Sequence, residues 1–351
     1  MTAKTLSSPF LSRRHFLAGT GAMTITVTHP AFSQGKSLAT TSFGGVWGTA
    51  YKETILDPFE KATGTNVKLK MGAPAEWLTN GVVTRRRPDI DILMLPYPQS
   101  IQAVMQDLSM PLTEKDIPNL VNVERVWIDQ YGGTAVGLDY VAYGVSARMD
   151  LLPKPLKSWK DLWDPAFEGK LAVPAITQSG AWELLVMASR LHGGDENNLE
   201  PGFEALKRLR PNIKKFLGGG SEHAQLLEAG EVVAVAMATN TTPYALQDAG
   251  RPVDFLVLEE GSMVGMVSYH VAKNAANKAA AMEFINFALA KEQQVNFCSK
   301  LVAGPVIKGA ELIGKAKERV PPLDRLVVFD WKALAPRMPE LSERWNREIA
   351  V

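Results

Sequence analysis

Hydrophobic and polar positions alternate with two different periods after residue 36, and these periods predict strands and helices in turn. Small and β-branched residues fill "SLATTSF", residues 37–43, which is typical of a buried strand. The next stretch predicts a helix, because apolar residues recur every four positions, at Trp47, Tyr51, Ile55 and Phe59. Gly64 is placed to cap that helix, and alternation at positions 67, 69 and 71 predicts a second strand. This order indicates parallel strands with a right-handed crossover.

Two long extended runs, 134–147 and 253–273, dominate the later chain. Shorter periodic segments predict helices over 180–192, 201–209 and 277–298 and a buried strand over 231–240. Because the extended runs bracket a central block of strands and helices, we expect one lobe to be inserted into another. Two strands then cross between the lobes.

The first 33 residues follow a different pattern, that of a twin-arginine export signal. Arg13 and Arg14 precede a mildly apolar stretch, and the small residues Ala31 and Ser33 predict cleavage after Ser33. No later segment has about 18 uninterrupted apolar residues, the length that a membrane-spanning helix needs. The sequence therefore predicts a soluble protein that is exported to the periplasm.

Charge and cysteine content narrow the possible partners. Lys and Arg number 38 against 37 Asp and Glu, so nothing favours nucleic acid or an anionic membrane as a partner. Cys298 is the only cysteine, which rules out a disulfide within the chain. We expect Cys298 to be a small buried residue, since free cysteines are commonly buried.

The sequence predicts no catalytic residue, metal site or cofactor. His192, His223 and His270 lie far apart in sequence without the spacing of zinc ligands, so each is expected on the surface or satisfied by hydrogen bonds. "GGGSEH" at 218–223 lacks the second flanking glycine of a nucleophile elbow. Gly169-Lys170 lacks the upstream glycine and the Ser or Thr of a phosphate loop.

Four segments resemble, in order, the periplasmic solute-binding proteins of ABC importers, in the subgroup of spermidine/putrescine-, thiamine- and iron-type binders. They are "ILDPFEKATGTNVKL", "KSWKDLWDPAFEGKLAVP", "LLEAGEVVAVA" and "LEEGSMVGMVSYHVAKNAANKAAAMEFINFAL". The resemblance implies the type II periplasmic-binding-protein fold, with two α/β lobes that close on a solute like a hinge. The implied partners are a small solute and an inner-membrane permease, and the protein is expected to be a monomer.

The predicted lobes are each assembled from two segments. Lobe 1 is expected to comprise residues 36–141 with 266–305, and lobe 2 residues 142–265 with 306–351. Both boundaries rest on where the extended runs fall and on the resemblance.

The residues argue against a polyamine, although polyamine and thiamine remain open as ligands. Where polyamine binders place tryptophan and aspartate at a strand end, this chain has Met237 and Asn240. Their later Trp-Met-Asp becomes Gly265-Met266-Val267. A diamine would lose several charge-assisted hydrogen bonds of about 1.5–3 kcal/mol each. A monocation, a zwitterion, an organic anion or an aromatic heterocycle is therefore expected.

The predicted ligand contacts are neutral polar and aromatic residues at strand ends and helix starts, with one carboxylate. They are Gly45, Trp47, Tyr97, Ser179, Gly180, Trp182, Glu183, Thr239, Asn240, Tyr244, Ser268 and Tyr269. Two alternatives belong to other classes of protein. A twin-arginine-exported enzyme or redox protein would carry a metal or flavin motif, and a signalling receptor domain would carry a tethering helix.

Overall fold

The structure is a computed structural model that describes residues 37–218 and 220–350. The predicted export signal, residues 1–33, lies outside the described residues. Within them the fold is mixed α/β, as predicted. The strands are β1 (Ser37–Ser42), β2 (Asn66–Met71), β3 (Ile92–Pro96), β4 (Val136–Arg148), β5 (Leu171–Pro174), β6 (Ile213–Leu217), β7 (Ala234–Thr239), β8 (Val253–Leu256), β9 (Ser262–Val271), β10 (Gly304–Pro305) and β11 (Leu326–Val327).

Helices alternate with these strands along the chain. They are α1 (Gly45–Tyr51), α2 (Asp57–Thr63), α3 (Pro74–Val83), α4 (Tyr97–Met105), α5 (Val126–Asp129), α6 (Ala181–Leu191), α7 (Glu200–Leu209), α8 (Gly220–Glu228), α9 (Thr241–Asp248), α10 (Lys278–Ala288), α11 (Lys291–Leu301), α12 (Ala316–Arg319), α13 (Trp331–Leu334) and α14 (Met338–Glu348). Among the described residues, no helix is both long and apolar enough to cross a membrane.

The strands pair in the order β2-β1-β3-β9-β4-β7-β5-β6, and β8, β10 and β11 attach to β4 or β9. The long strands β4 and β9 run antiparallel to each other at the centre of this order. The part of β4 before residue 141 pairs with β10, while Tyr143–Arg148 pairs with β7 and β8. The far end of β9 pairs with β3 and its start with β11. β4 and β9 therefore join the strands at one end of this order, β2, β1 and β3, to those at the other end, β7, β5 and β6.

The first predicted unit is confirmed by the structure. β1 pairs in parallel with β2 and β3. One helical segment links β1 to β2, and a single π-helical stretch, Lys52–Leu56, lies between α1 and α2. Gly64 caps α2 with a left-handed backbone, φ 68°, a conformation that costs glycine little. Cys298 is buried, as expected.

Two sequence predictions of continuous elements are wrong. The extended run 253–273 is broken at Gly261, whose φ of 88° turns the chain between β8 and β9. Both of these strands then pair with β4.

The predicted helix over 277–298 is broken at Ala290, whose backbone is extended. In one continuous helix Phe284 and Phe297 would point about 140° apart. With the break, Phe284 and Phe297 both contact Tyr51, with ring centroids 6.3 and 6.0 Å away. The aromatic core around α1 therefore explains a break that the hydrophobic pattern does not reveal.

Candidate functional site

A cavity of about 580 Å³ lies beside the middle of β4 and β9, and we call it the central cavity. Strand ends and helix starts from several parts of the chain meet here, as they do at the carboxyl ends of strands in α/β sheets. Its lining consists of Phe43, Trp47, Pro74, Pro96, Tyr97, Pro98, Asp139, Val141, Tyr143, Ser179, Glu183, Gly265, Met266 and Val267. Two carboxylates therefore face a mainly aromatic and aliphatic wall, and none of these described residues is basic.

Asp139 is the most unusual member of this lining. It lies on β4 directly after an irregularity in the pairing with β9, and bulges of this kind often redirect side chains near functional sites. The side chain is 1% exposed, and Oδ1 has no hydrogen-bond partner among the described residues. Burial raises the pKa of Asp139 to about 7, although the indole of Trp47 lowers it in part. Asp139 is therefore a buried acid that lies beside the indole of Trp47 and is incompletely satisfied among the described residues.

Glu183, the second carboxylate, accepts a backbone hydrogen bond, unlike Oδ1 of Asp139. It lies in the first turn of α6, and its Oε2 accepts a hydrogen bond of 2.9 Å from the backbone N–H of Gly180. The side chain is nevertheless buried, and burial raises the pKa of Glu183 to about 7. Gly180 has φ 95°, and a Cβ there would lie 2.7 Å from the carbonyl oxygen of Met237. Glycine is therefore required where α6 begins.

Two side chains of β4 supply groups that the neighbouring β9 positions lack. Asp139 pairs with Val267 in the β4–β9 register, so the two side chains lie on the same face of the sheet. A carboxylate thus lies one strand away from Val267. Gly265 faces the ring of Tyr143, and a Cβ at this glycine would lie 2.6 Å from that ring. The ring of Tyr143 thus occupies the space beside Gly265.

A family model for bacterial extracellular solute-binding proteins matches residues 54–321. The chain belongs to this family. A curated relative, the spermidine/putrescine-binding periplasmic protein of Escherichia coli, is 31% identical over 179 residues. That alignment covers 50% of this chain and 46% of the relative, so the chain matches about half the length of this curated protein.

Solved structures agree with this family membership. An ABC transporter protein from Clostridium perfringens has a TM-score of 0.79 and 27% identity, covering 89% of this chain and 99% of its own. An extracellular solute-binding protein from Bordetella parapertussis has a TM-score of 0.81 and 23% identity, covering 90% and 99%. The predicted periplasmic-binding-protein fold is therefore confirmed for this solute-binding protein.

The structure brings four of the twelve predicted contacts of this solute-binding protein to the central cavity. These are Trp47, Tyr97, Ser179 and Glu183. Thr239 and Tyr244 instead line a neighbouring cavity of about 580 Å³, which shares Trp47 and Val141 with the central one. We call this space the outer cavity.

The other six predicted contacts line neither the central nor the outer cavity. Gly45 is exposed at the start of α1, and Gly180 forms the cap of α6. Trp182 is buried within α6. Asn240 is buried, and its Nδ2 donates to the carbonyl of Val302 over 2.7 Å.

Ser268 and Tyr269, the last two of these residues, are fully buried and hydrogen-bonded inside the core. The Ser268 hydroxyl lies 2.7 Å from that of Ser100 and donates to the hydroxyl of Tyr131 over 3.1 Å. The Tyr269 hydroxyl donates to the hydroxyl of Tyr51 over 2.8 Å.

Asp139, Tyr143 and Phe43 also line the central cavity, although none of them was among the predicted contacts. For Asp139 a signal was present, because it is a single charged residue inside an otherwise apolar strand run, "VGLDYVAYGV". Aspartate is rarely buried unless it is paired, so a carboxylate in such a run indicates either a partner or a ligand.

The expectation for the histidines is wrong for His223. Its side chain is 4% exposed, and its Nε2 has no hydrogen-bond partner among the described residues. It lines a pocket of about 180 Å³, which we call the side pocket and which shares Tyr143 and Ser179 with the central cavity. Among the described residues, no three His, Cys, Asp or Glu side chains form a group that could hold a metal ion.

Proposed function

We propose that this protein is the substrate-binding component of an ABC importer and that it captures a small organic cation in the central cavity. The observation that carries the proposal is the pair of buried carboxylates, Asp139 and Glu183, in a lining without a basic residue among those described. The relatives reported above are binding proteins, which favours this function over that of an exported enzyme. The polyamine named for the Escherichia coli relative is also a cation.

A buried, unpaired carboxylate favours a cation over the other solute classes that the sequence left open. An ionised Asp139 is costly in the empty cavity, but an ammonium group would pair with it and with Glu183. The rings of Trp47 and Tyr143 offer π faces to the same positive charge. An organic anion would instead add a third negative group to a buried site.

The same proposal extends to the export of the protein, its closure on the solute and the delivery of the solute. The export signal over residues 1–33 would direct the protein to the periplasm, where it acts as a monomer. Lobes 36–141 with 266–305 and 142–265 with 306–351 would close around the solute, because contacts to both lobes favour the closed state. The closed protein would then deliver the solute to an inner-membrane permease.

Isothermal titration calorimetry on the chain from residue 34 onward tests the proposed ligand class. The panel comprises pentylamine, putrescine, spermidine, thiamine, glutamate and citrate. We expect at least one amine or thiamine to bind and both anions to fail. Asp139→Asn should weaken that binding by about 100-fold, since it removes a charge-assisted contact in a buried site.

The matched control is Asp150→Asn, because Asp150 is an exposed aspartate paired with Arg148 on the surface. This variant should bind as the wild type does. Binding of citrate or glutamate without binding of any cation would contradict the proposal, as would full affinity in Asp139→Asn.

A further inference from the structure

The side pocket adjoins the central cavity at Tyr143 and Ser179, which line both spaces. The side pocket has a volume of about 180 Å³. Because a water molecule in the liquid occupies about 30 Å³, the pocket has room for several water molecules or for a small chemical group. A ligand held in the central cavity could therefore extend one end group into the side pocket.

His223 lines this pocket and carries a buried hydrogen-bonding atom that is unsatisfied among the described residues. The side chain lies on α8, is 4% exposed and has no partner for Nε2 among the described residues. Burial lowers the pKa of His223 to about 4, so the imidazole is neutral at pH 7. Buried polar atoms are normally paired, and a pocket beside an unpaired one is a place for a ligand atom.

The other polar groups of the side pocket are also uncharged. Gln178, Ser179, Thr239 and Thr242 contribute amide and hydroxyl groups, and apart from the neutral His223 no described residue of the lining is acidic or basic. The central cavity holds two carboxylates, so the two adjoining spaces differ in charge.

An irregularity of β7 forms part of the pocket wall. In the β4–β7 pairing Gly144 lies opposite Ala238 and Val145 opposite Ala236, which leaves Met237 as the extra residue of a bulge. Met237 has φ 52°, a left-handed conformation that is uncommon for a residue other than glycine. The carbonyl of Met237 also packs against Gly180, at the start of the helix that carries Glu183. The contact between Met237 and Gly180 therefore joins the wall of the side pocket to the helix that carries Glu183.

We propose that the side pocket binds an uncharged hydrogen-bonding end of the solute, so that the substrate class is an amino alcohol or an amino amide. The inference rests on the proposed function, because it places the ammonium end beside Asp139 and Glu183. A second ammonium in the side pocket would meet no carboxylate, and a carboxylate would meet no cation. Both would lose the charged partner that a buried ion requires.

A matched set of five-carbon amines tests this proposal by calorimetry at pH 7.5. The probes are pentylamine, 5-aminopentan-1-ol, 5-aminopentanamide, 1,5-diaminopentane and 5-aminopentanoate, with homologues of three to six carbons to cover the span between the pockets. We expect the alcohol or the amide to bind about tenfold more tightly than the alkylamine of equal length, the effect of one buried hydrogen bond. The diamine and the amino acid should gain less.

Two variants test whether His223 causes the tighter binding of the alcohol or amide. His223→Leu should reduce the affinity for the alcohol or amide to that for pentylamine and leave pentylamine affinity unchanged. His223→Gln retains a hydrogen-bonding group and should keep part of the gain. Thermal unfolding of both variants shows whether they are folded.

Several outcomes separate this inference from the proposed function. Tightest binding of the diamine or the amino acid would overturn the inference, as would a His223→Leu variant that weakens all probes equally or none. If amines bind and Asp139→Asn abolishes their binding, the proposed function holds whichever end group is preferred. If no probe of this set binds, the inference fails, whereas the proposed function fails only if no cation of the wider panel, thiamine included, binds either.

Discussion

Two buried histidines among the described residues, His270 and His223, have similar burial and opposite hydrogen bonding. His270 lies 2.9 Å from the hydroxyl of Ser109 through Nδ1 and 3.0 Å from that of Ser100 through Nε2. His223 leaves Nε2 unpaired beside the side pocket. Burial lowers the pKa of His270 to about 3 and that of His223 to about 4, so both rings are neutral at pH 7. Burial and protonation state therefore do not distinguish the two histidines, whereas hydrogen bonding does.

Two buried aspartates show the same contrast. Asp91 is 4% exposed and accepts backbone hydrogen bonds from Ala39 and Asn277, at 2.9 and 3.0 Å. Asp139 is equally buried, lines the central cavity and leaves Oδ1 unpaired. An unpaired atom alone is not sufficient to indicate a ligand, since the indole nitrogen of Trp127 is also unpaired in the core. Asp139 and His223 combine an unpaired atom with an adjoining cavity, and so does Trp47, whose indole nitrogen is unpaired and which also lines the central cavity.

The largest expected effect is on stability and comes from Asp139→Asn. The pKa of Asp139 is about 7 in the folded protein and 3.8 in its ordinary state, so the folded state binds more protons between pH 4 and 7. Stability is then lost as pH rises through this window, by up to about 4 kcal/mol. Asp139→Asn should therefore stabilise the ligand-free protein at pH 8, and the gain should shrink toward zero near pH 4.

Urea unfolding at pH 8, 6 and 4 measures this difference between Asp139→Asn and the wild type. Asp91→Asn is the matched control, because it weakens satisfied hydrogen bonds, and it should destabilise the protein at pH 8 by about 1–3 kcal/mol. A destabilised Asp139→Asn variant at pH 8 would mean that the Asp139 carboxylate already has a favourable partner in the empty protein.

The next effect in size is that of His270→Leu. This change leaves the buried hydroxyl of Ser109 without its imidazole partner and removes one partner of Ser100. Unsatisfied buried groups cost about 1–3 kcal/mol each, so we expect a loss of about 2–3 kcal/mol in the free energy of unfolding at pH 7. Urea denaturation measures it. An unchanged midpoint would show that the hydroxyl groups find other partners. The hydrogen bonds of His270 would then add no stability that His223 lacks.

Local patterns predicted the first β-α-β unit and the cap at Gly64, since both depend on residues that are neighbours in sequence. The break at Ala290 was not predictable in this way, because it depends on the aromatic core around Tyr51. The residues of the candidate site show the same difference between local and long-range signals. Trp47 and Glu183 lie at helix starts that the sequence reveals.

The role of Asp139 depends on which residue lies opposite it in β9, and the environment of His223 depends on a bulge in β7. Such long-range pairings are invisible in a comparison of one position at a time. The carboxylate that lies beside Val267 belongs to the partner strand, so the residue at position 267 alone does not reveal it.

A smaller effect concerns the pH dependence of cation binding. Under the proposed function an ammonium group binds the ionised form of Asp139, whose pKa is about 7 in the empty protein. Affinity for pentylamine should therefore rise about tenfold between pH 6 and 8, where the amine stays protonated. The neighbouring Tyr51, Tyr269 and Cys298 stay neutral over this range, because burial raises the pKa of each.

Calorimetry of pentylamine across this pH range tests the dependence, with Asp139→Asn and Glu183→Gln as comparisons. If one carboxylate accounts for most of the effect, the corresponding variant should bind weakly and with a flat profile. Affinity that falls with rising pH in the wild type would contradict an ammonium paired with Asp139.

The smallest expected effect is that of His223→Leu on the stability of the ligand-free protein. Leucine has a similar volume and removes an unpaired buried nitrogen, whereas the same change at His270 removes two hydrogen bonds. We expect the free energy of unfolding to change by less than about 1 kcal/mol, with either sign. Urea denaturation of the two leucine variants side by side measures this difference. If both variants lose the same stability, His223 has a partner within the fold, and the side pocket is part of the core rather than a place for a ligand.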